Sequence, residues 1–194
     1  MEPVKRVLGI DPGSVITGFG VIDTDGVRDF HVTHGIVRVA GDSLPEKLGH
    51  ILYEVTKIID EWQPVEMGIE EVFVSNNPMS ALKLGQARGA AICAGVQRGL
   101  PVAEYSARTV KQAAVGYGAA GKEQMQEMIR VLLSLEKQPA SDAADGLAVA
   151  LCHAHSMNAA VSVSVKGAGV DGAGKLDFRR GTGKRRSKRW TSVR

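Results

Sequence analysis

The stretch from Leu8 to Asp23, LGIDPGSVITGFGVID, places a carboxylate at the point where a buried strand ends. The apolar runs at 7–10 and 19–22 predict two buried strands, and Asp11 ends the first of them. Pro-Gly-Ser follows, and an aspartate in front of such a sequence is often only a turn cap. The meaning of Asp11 therefore depends on which other acidic residues the fold brings close to it.

The rest of the chain alternates helical and extended patterns. A turn signal at Asp25-Gly26 precedes a third strand over 28–39. Ser43 and Glu46 form a capping box in front of a strongly amphipathic helix that ends before Pro64. Further strands are predicted over 65–70 and 101–105, and further helices over 77–98, 107–115 (capped by Ser106), 122–133 and 141–156 (capped by Ser141). This order predicts an α/β fold with a mixed sheet.

Composition narrows the class of protein. A length of 194 residues suits one well-packed domain, and no apolar run approaches the roughly 18 residues that a membrane span needs. No signal-peptide core precedes the first strand, and the two cysteines indicate no disulfide framework. We therefore expect a cytoplasmic protein.

The charge is divided unevenly along the chain. Residues 161–194 hold ten of the 24 Lys and Arg residues but only two of the 21 Asp and Glu residues. The remainder is net acidic, with 14 basic and 19 acidic residues. Apolar periodicity stops near 159, so we predict a folded domain over 1–158 and a disordered basic tail over 159–194. A nucleic-acid contact and a merely solubilising role for this tail are equally compatible with its composition.

Four acidic residues stand at unusual places. Asp11 and Glu70 end predicted strands, whereas Asp142 and Asp145 begin the last predicted helix on one face. Taken singly, each has an ordinary explanation in a turn, a strand leaving the core or a helix dipole. If all four converge, two charges 4 Å apart repel by about 4 kcal/mol at an effective dielectric of about 20, so the acids must either take up protons or recruit cations. An all-oxygen site favours Mg²⁺ or Mn²⁺, and two such ions about 3.5–4 Å apart form a clamp for in-line phosphodiester cleavage. In this hypothesis Gly13, Gly18 and Gly20 leave room for backbone or phosphate.

Five motifs together carry a family resemblance. GIDPGSVITGFGVI, IEEVF, SALKLGQARGAA, VKQAAVG and SDAADGLAVA resemble, in order, the motifs of the RuvC family of Holliday-junction resolvases. The resemblance covers about residues 6–156. It implies a ribonuclease-H-like fold, a mixed five-stranded sheet flanked by helices on both faces, and a homodimer. It also implies Mg²⁺-dependent paired nicking of four-way DNA junctions in recombination and repair, with a branch-migration motor as a partner.

The resemblance also assigns roles to individual residues. Asp11, Glu70, Asp142 and Asp145 match the family's catalytic, metal-binding acids. Phe73 matches an aromatic residue that packs against an unstacked base near the junction centre. Lys111 and Lys122 match basic residues near the scissile phosphate, where Lys122 would stabilise developing charge. Outside the motifs' key positions, the candidates for DNA contacts are Asn76, Asn77, Lys83 and Arg88. For Lys83 and Arg88, a solvated helix face is the default interpretation.

Two further patterns have a competing explanation. Ala81, Gly85, Gly89 and Cys93 form a stripe of small residues, which we interpret as an intramolecular packing surface in preference to a subunit interface. The run from Cys152 to His155 resembles a fragment of a zinc site, but a structural zinc needs four ligands and no second pair lies nearby. Core packing and a helix C-terminus account for this run better.

Two other functions compete with the nuclease hypothesis. Asp-x-Gly followed by Thr-Gly-x-Gly also opens the phosphate-binding hairpin of actin-like ATPases and sugar kinases, although these need a second lobe that 194 residues do not supply. A non-catalytic nucleic-acid-binding protein is the other alternative, and it depends on the basic tail. The presence of all four acids argues against it.

Overall fold

The computed structural model describes residues 4–72, 78–116 and 121–167, with side chains of the last helix described as far as Met157. The strands are β1 (Lys5–Asp11), β2 (Ile16–Thr24), β3 (Asp29–Arg38), β4 (Glu66–Glu70) and β5 (Val102–Tyr105). The helices are α1 (Leu44–Trp62), α2 (Pro78–Gln97), α3 (Ala107–Val115), α4 (Lys122–Leu132) and α5 (Ser141–Gly167). The predicted α/β class and the predicted order of elements are confirmed.

The five strands form one mixed sheet with the order β3-β2-β1-β4-β5. Strand β2 pairs with β1 and with β3 in antiparallel orientation. Strand β4 runs parallel to β1, and β5 runs parallel to β4. Ile10 lies opposite Ile69 in the register of β1 and β4. Asp11 and Glu70 each follow one of these residues, so both acids lie at the same edge of the sheet.

Helices cover both faces of the sheet, as the resemblance implies. One apolar cluster joins α1 and α2 to side chains such as Leu8, Val21 and Ile69. The other joins α3, α4 and α5 to Val7 and Ile22 on the opposite face. The helices are held locally as well: Ser43 and Glu46 form the predicted capping box of α1, and Ser106 caps α3.

Glycines let α5 lie directly against the sheet. A Cβ atom at Gly18 would lie 1.8 Å from the carbonyl oxygen of Asp142, and one at Gly20 would lie 2.6 Å from Cα of Leu147. On the helix itself, a Cβ at Gly146 would lie 2.5 Å from Cα of Phe19. The space that Gly18 and Gly20 leave is therefore filled by the backbone of α5 and not by a phosphate. The tight packing fixes the first turns of α5 beside the end of β1.

The structure differs from the sequence-based expectations at three further places. Helix α5 continues to Gly167 and does not end near Ser156, so the run from Cys152 to His155 lies within the helix and not at its C-terminus. Ser141 is the first helical residue and does not cap α5, since its hydroxyl is buried without a hydrogen-bond partner among the described residues. The small-residue stripe of α2 is not the main packing surface of the helix: Gly85 and Cys93 are exposed, and Ala81 and Gly89 are only partly buried. The fully buried alanines are Ala87, Ala91 and Ala94. Within the described residues, no helix is long and apolar enough to cross a membrane.

Candidate active site

Three acids and two lysines line one cavity at the carboxyl edge of the sheet. Its volume is about 280 Å³, and its charged lining residues are Asp11, Glu70, Asp145, Lys111 and Lys122. The acids come from β1, β4 and α5, and the lysines come from α3 and the first residue of α4. Residues that are distant in the sequence are thus brought together by the strand register and by the close contact between α5 and β2.

The pKa of Asp11 is raised both by burial and by the neighbouring acids. Burial of the carboxyl group, followed by the negative charges of Glu70, Asp145 and Asp142, raises its pKa from 3.8 to about 8. The positive charge of Lys122 opposes this rise. Asp142 does not line the cavity, but its charge acts on Asp11 and Asp145 and so places it at the margin of the same site.

The other two lining acids are also shifted toward their protonated forms. Burial and the charge of Asp145 raise the pKa of Glu70 to about 7, while Lys111 lowers it. Burial raises the pKa of Asp145, and Lys122 opposes this, with a smaller raising effect from Asp142. Perturbed acids of this kind in a cleft are a common sign of a functional site. The two lysines are the cations that partly compensate the cluster.

The donor set fits a hard divalent cation. All the acidic side chains at the cavity offer carboxylate oxygens, which Mg²⁺ and Mn²⁺ prefer. In the described part of the chain, however, no three His, Cys, Asp or Glu side chains are already arranged as a ligand group. Burial and neighbouring negative charge raise the pKa values of Asp11, Glu70 and Asp145, so a bound cation would stabilise their charged forms. The site fits the ion in chemistry and in charge.

The candidates for DNA contacts are distributed differently. Lys83 lies outside the acid cavity and lines a separate cavity of about 300 Å³ with Ser14 and Lys47. Arg88 is held inside the domain, since its Nε donates to the carbonyl oxygen of Glu70 at 3.0 Å and its guanidinium forms an ion pair with Glu104. Phe73, Asn76 and Asn77 lie outside the described residues. The structure thus brings Lys111 and Lys122 to the acids but not Lys83.

Sequence reasoning missed the contact between Arg88 and Glu70. The two residues are 18 positions apart and lie on different elements, so no local spacing rule connects them. Residue type alone makes Arg88 a candidate for a DNA contact or a solvated cation, and neither interpretation includes a contact inside the domain. Glu104, the ion-pair partner of Arg88, is an exposed residue of β5, so the sequence carries no local signal for this contact either.

The fold and the cavity define a class of protein, and comparison with known proteins supports the same class. A model of the family "Crossover junction endodeoxyribonuclease RuvC" matches residues 7–153. A RuvC crossover junction endodeoxyribonuclease of Magnetococcus marinus is 60% identical over 149 residues, which are 76% of this chain and 83% of the relative. Its counterpart in Psychromonas ingrahamii is 53% identical over 160 residues, covering 82% of this chain and 92% of the relative.

Solved structures show the same similarity. RuvC of T. thermophilus in complex with a Holliday junction substrate has a TM-score of 0.75 and 33% identity, over 80% of this chain and 96% of that chain. The yeast mitochondrial Holliday junction resolvase Ydc2 has a TM-score of 0.59 over 86% of this chain and 87% of that chain, but at 11% identity it supports only the fold. A mixed sheet of this order, flanked by helices on both faces, is the ribonuclease-H-like fold, and the curated relatives place the chain among its nucleases. The chain belongs to the RuvC family of crossover junction endodeoxyribonucleases.

Proposed function

We propose that this protein resolves four-way DNA junctions by paired, symmetric hydrolysis of phosphodiester bonds in recombination and repair. The observation that carries the proposal is the gathering of Asp11, Glu70 and Asp145 in one cavity with Lys111 and Lys122. The names of the relatives and the junction complex of the T. thermophilus protein support the same activity.

The acids Asp11, Glu70, Asp142 and Asp145 would hold the metal, with Mg²⁺ as the physiological ion, Mn²⁺ as a substitute and two ions in each site. When bound, such ions supply an activated water and stabilise charge on the leaving oxygen. Asp11 is central because Glu70, Asp145 and Asp142 all act on its pKa. Any ion that Asp11 holds therefore lies within the influence of the other three carboxylates.

The lysines have a separate task. Lys122 acts on both Asp11 and Asp145, and Lys111 acts on Glu70 and Asp145, so each cation lies close to two acids. A phosphate entering the cavity would approach the same two cations. Fixed positive charge aimed at developing negative charge typically contributes about 10²–10³ in rate. We assign Lys122 to the pentacovalent phosphorus centre and Lys111 to binding of the neighbouring phosphate.

DNA recognition outside the cavity is proposed from the sequence. Phe73 follows Glu70 closely in the chain, and stacking of an unpaired base on its ring would contribute about 1–3 kcal/mol in favour of an open junction. Asn77 and Lys83 would contact the backbone. Because the body of the protein is acidic, local cations must supply most of the attraction to DNA.

The exposed face of α2 is the proposed subunit interface of a homodimer. Met79, Leu82 and Val96 are more than half exposed, and a Cβ at Gly85 or Gly89 would meet nothing within 4 Å. Small residues between exposed apolar side chains let a second helix approach closely. Two such subunits would present two cavities to the symmetry-related strands of a junction. A branch-migration motor is a further proposed partner, implied only by the resemblance.

A charge on this face should weaken the dimer. Leu82→Glu is expected to raise the dimer dissociation constant at least about tenfold, which is about 1.4 kcal/mol. Val131→Glu on α4 is the matched control, because Leu82 and Val131 are both 54% exposed. Sedimentation velocity over a concentration series measures the constant. Equal dissociation constants for the two variants would contradict the assignment of the interface to α2.

The activity is tested with a synthetic four-way junction and a linear duplex, each with Mg²⁺ or with a chelator. Paired nicks in the junction alone, dependent on Mg²⁺, are the expected result. Binding without cleavage would favour the non-catalytic alternative, and ATP hydrolysis without DNA would favour the actin-like alternative.

The raised pKa values predict how metal binding depends on pH. Asp11 with a pKa of about 8 and Glu70 with a pKa of about 7 must lose their protons when a cation binds. The Mg²⁺ concentration at half-maximal single-turnover cleavage should therefore fall as pH rises from 6.5 to 8.5. Calorimetry in buffers of different ionisation enthalpy should detect proton release on binding. A Mg²⁺ midpoint that is constant across this range would contradict the coupling.

A further inference from the structure

Arg88 makes two contacts inside the domain that connect three elements. It lies on α2, and its side chain is only 18% exposed. Its Nε donates a hydrogen bond of 3.0 Å to the carbonyl oxygen of Glu70, the last residue of β4. Its terminal nitrogen forms an ion pair with Glu104 on β5. One guanidinium thus joins the helix to the ends of two neighbouring strands.

The contact with Glu70 is made at a backbone position where the sheet is about to end. Glu70 is paired with Tyr105, and the amide of Glu71 donates to the carbonyl oxygen of Tyr105 at 2.8 Å. The carbonyl of Glu70 belongs to the peptide unit that joins Glu70 to Glu71. A bond to that carbonyl fixes the orientation of this peptide, and with it the direction in which the Glu70 side chain leaves the strand.

We propose that Arg88 is a positioning residue that holds the end of β4 so that the carboxylate of Glu70 faces Asp11 and Asp145. This inference rests on the proposed nuclease function. The planar guanidinium offers several N–H donors in a fixed fork, so one group bonds the carbonyl and pairs with Glu104 at once. An ammonium is a single point charge and does not reproduce both contacts with the same geometry.

The alternative role for Arg88 is a contact with DNA phosphate, and two conservative variants separate the roles. In Arg88→Lys the charge is kept, so a phosphate contact would be largely retained, but the fork is lost. In Glu104→Gln the arginine loses its charged partner, so a phosphate contact would be strengthened, whereas the hold on Glu70 would be weakened. Arg98→Lys is the matched control. Arg98 directly follows α2 and forms a two-point ion pair with Asp60, and neither residue lines the cavity.

Cleavage and binding are measured separately. With junction in saturating amounts and Mg²⁺ present, single-turnover cleavage by Arg88→Lys and by Glu104→Gln should be about 10- to 100-fold slower, because displacement of a reacting group by about 1 Å has effects of this size. Junction affinity without Mg²⁺ should stay within about twofold of the unmodified protein, and Arg98→Lys should cleave normally. A further variant, Arg88→Ala, removes the positive charge. If Arg88→Ala binds the junction more weakly while Glu104→Gln cleaves at the unmodified rate, Arg88 contacts a phosphate and the proposal is wrong.

A readout without metal or DNA separates this inference from the nuclease function. Hydrogen exchange of the Glu71 amide should accelerate in Arg88→Lys and Glu104→Gln, while exchange in β1 and β2 stays unchanged. Unchanged exchange at Glu71 would overturn the inference even if the protein cleaves junctions. Conversely, a protein that cleaves no junction but shows this local acceleration would refute the nuclease function and leave the hold on β4 established.

Discussion

Asp11→Asn is expected to abolish junction cleavage while junction binding persists. The substitution removes the carboxylate on which the charges of Glu70, Asp145 and Asp142 all act, and it keeps the size of the side chain. Loss of a metal-ligating charge costs several kcal/mol of transition-state stabilisation, and each 1.36 kcal/mol is about tenfold in rate. We therefore expect cleavage to fall at least about 10³-fold. Affinity for the junction should stay equal or rise, because one negative charge near the phosphates is gone.

The same variant should be more stable than the unmodified protein when metal is absent. The pKa of Asp11 is about 8 in the folded protein and 3.8 as a free side chain, so between these values the folded state binds more protons than the unfolded state. Stability therefore falls as pH rises through this window, and Asp11→Asn removes this loss. We expect its advantage to grow from pH 5 to pH 8 and to reach about 1–2 kcal/mol, or about 2–8 °C in Tm.

The control for Asp11→Asn is Glu71→Gln. Glu71 directly follows β4, is exposed and does not line the cavity. Its neutralisation should leave cleavage and thermal stability near those of the unmodified protein. If Asp11→Asn nicks junctions at the normal rate, Asp11 is not a ligand of the proposed metal site. If its melting temperature in chelator at pH 8 is lower than that of the unmodified protein, the raised pKa of Asp11 is contradicted.

The parts of the fold that could be predicted from the sequence depend on short-range physics. The capping box of Ser43 and Glu46 is formed by residues three apart, and it starts α1 where the pattern places it. The apolar runs of β1, β2 and β4 are interrupted only by glycines, and they form the buried strands that the pattern predicts. Because β1 and β4 are parallel neighbours, the acids that end them share an edge. Local patterns thus place Asp11 and Glu70 at strand ends, and the long-range pairing of β1 with β4 brings them together.

The orientation of α2 could not be predicted in this way. The helix carries two stripes of small residues, one through Gly85 and Gly89 and the other through Ala87 and Ala91. Small and apolar residues lie on both faces of the helix, so local sequence does not decide which face is buried. The decision is made by tertiary packing, where Ala87 and Ala91 join the cluster around Ile59 and Met67. The internal contacts of Arg88 were hidden for the same reason, because they depend on which face of α2 meets the sheet.

Gly18 is another residue whose importance the sequence indicates without identifying the group that it contacts. A glycine within a buried strand indicates that another group approaches closely, yet the pattern does not say which group. The approaching group is the backbone of α5 at Asp142. The glycines that precede and follow Phe19 therefore determine how near the acids of α5 come to Asp11.

Gly18→Ala should consequently damage both the fold and the cavity. The new Cβ would lie 1.8 Å from the carbonyl oxygen of Asp142, and no side-chain rotation relieves a clash with backbone. We expect a loss of about 1–3 kcal/mol or more, with about 2–4 °C of Tm lost per kcal/mol in a protein of this size. The start of α5 must move away from β2, which separates Asp142 and Asp145 from Asp11. Cleavage should fall at least about 10²-fold even under conditions in which the variant remains folded.

Gly49→Ala is the matched control, because a Cβ at Gly49 on the exposed side of α1 would meet nothing within 4 Å. It should leave cleavage unchanged and raise stability by up to about 1 kcal/mol, since alanine favours the helix. Circular dichroism and calorimetry measure folding, and single-turnover cleavage at a temperature well below both transitions measures the cavity. If Gly18→Ala cleaves and melts like Gly49→Ala, α5 does not depend on close contact with β2, and the acids of α5 are held near Asp11 by something other than the glycines.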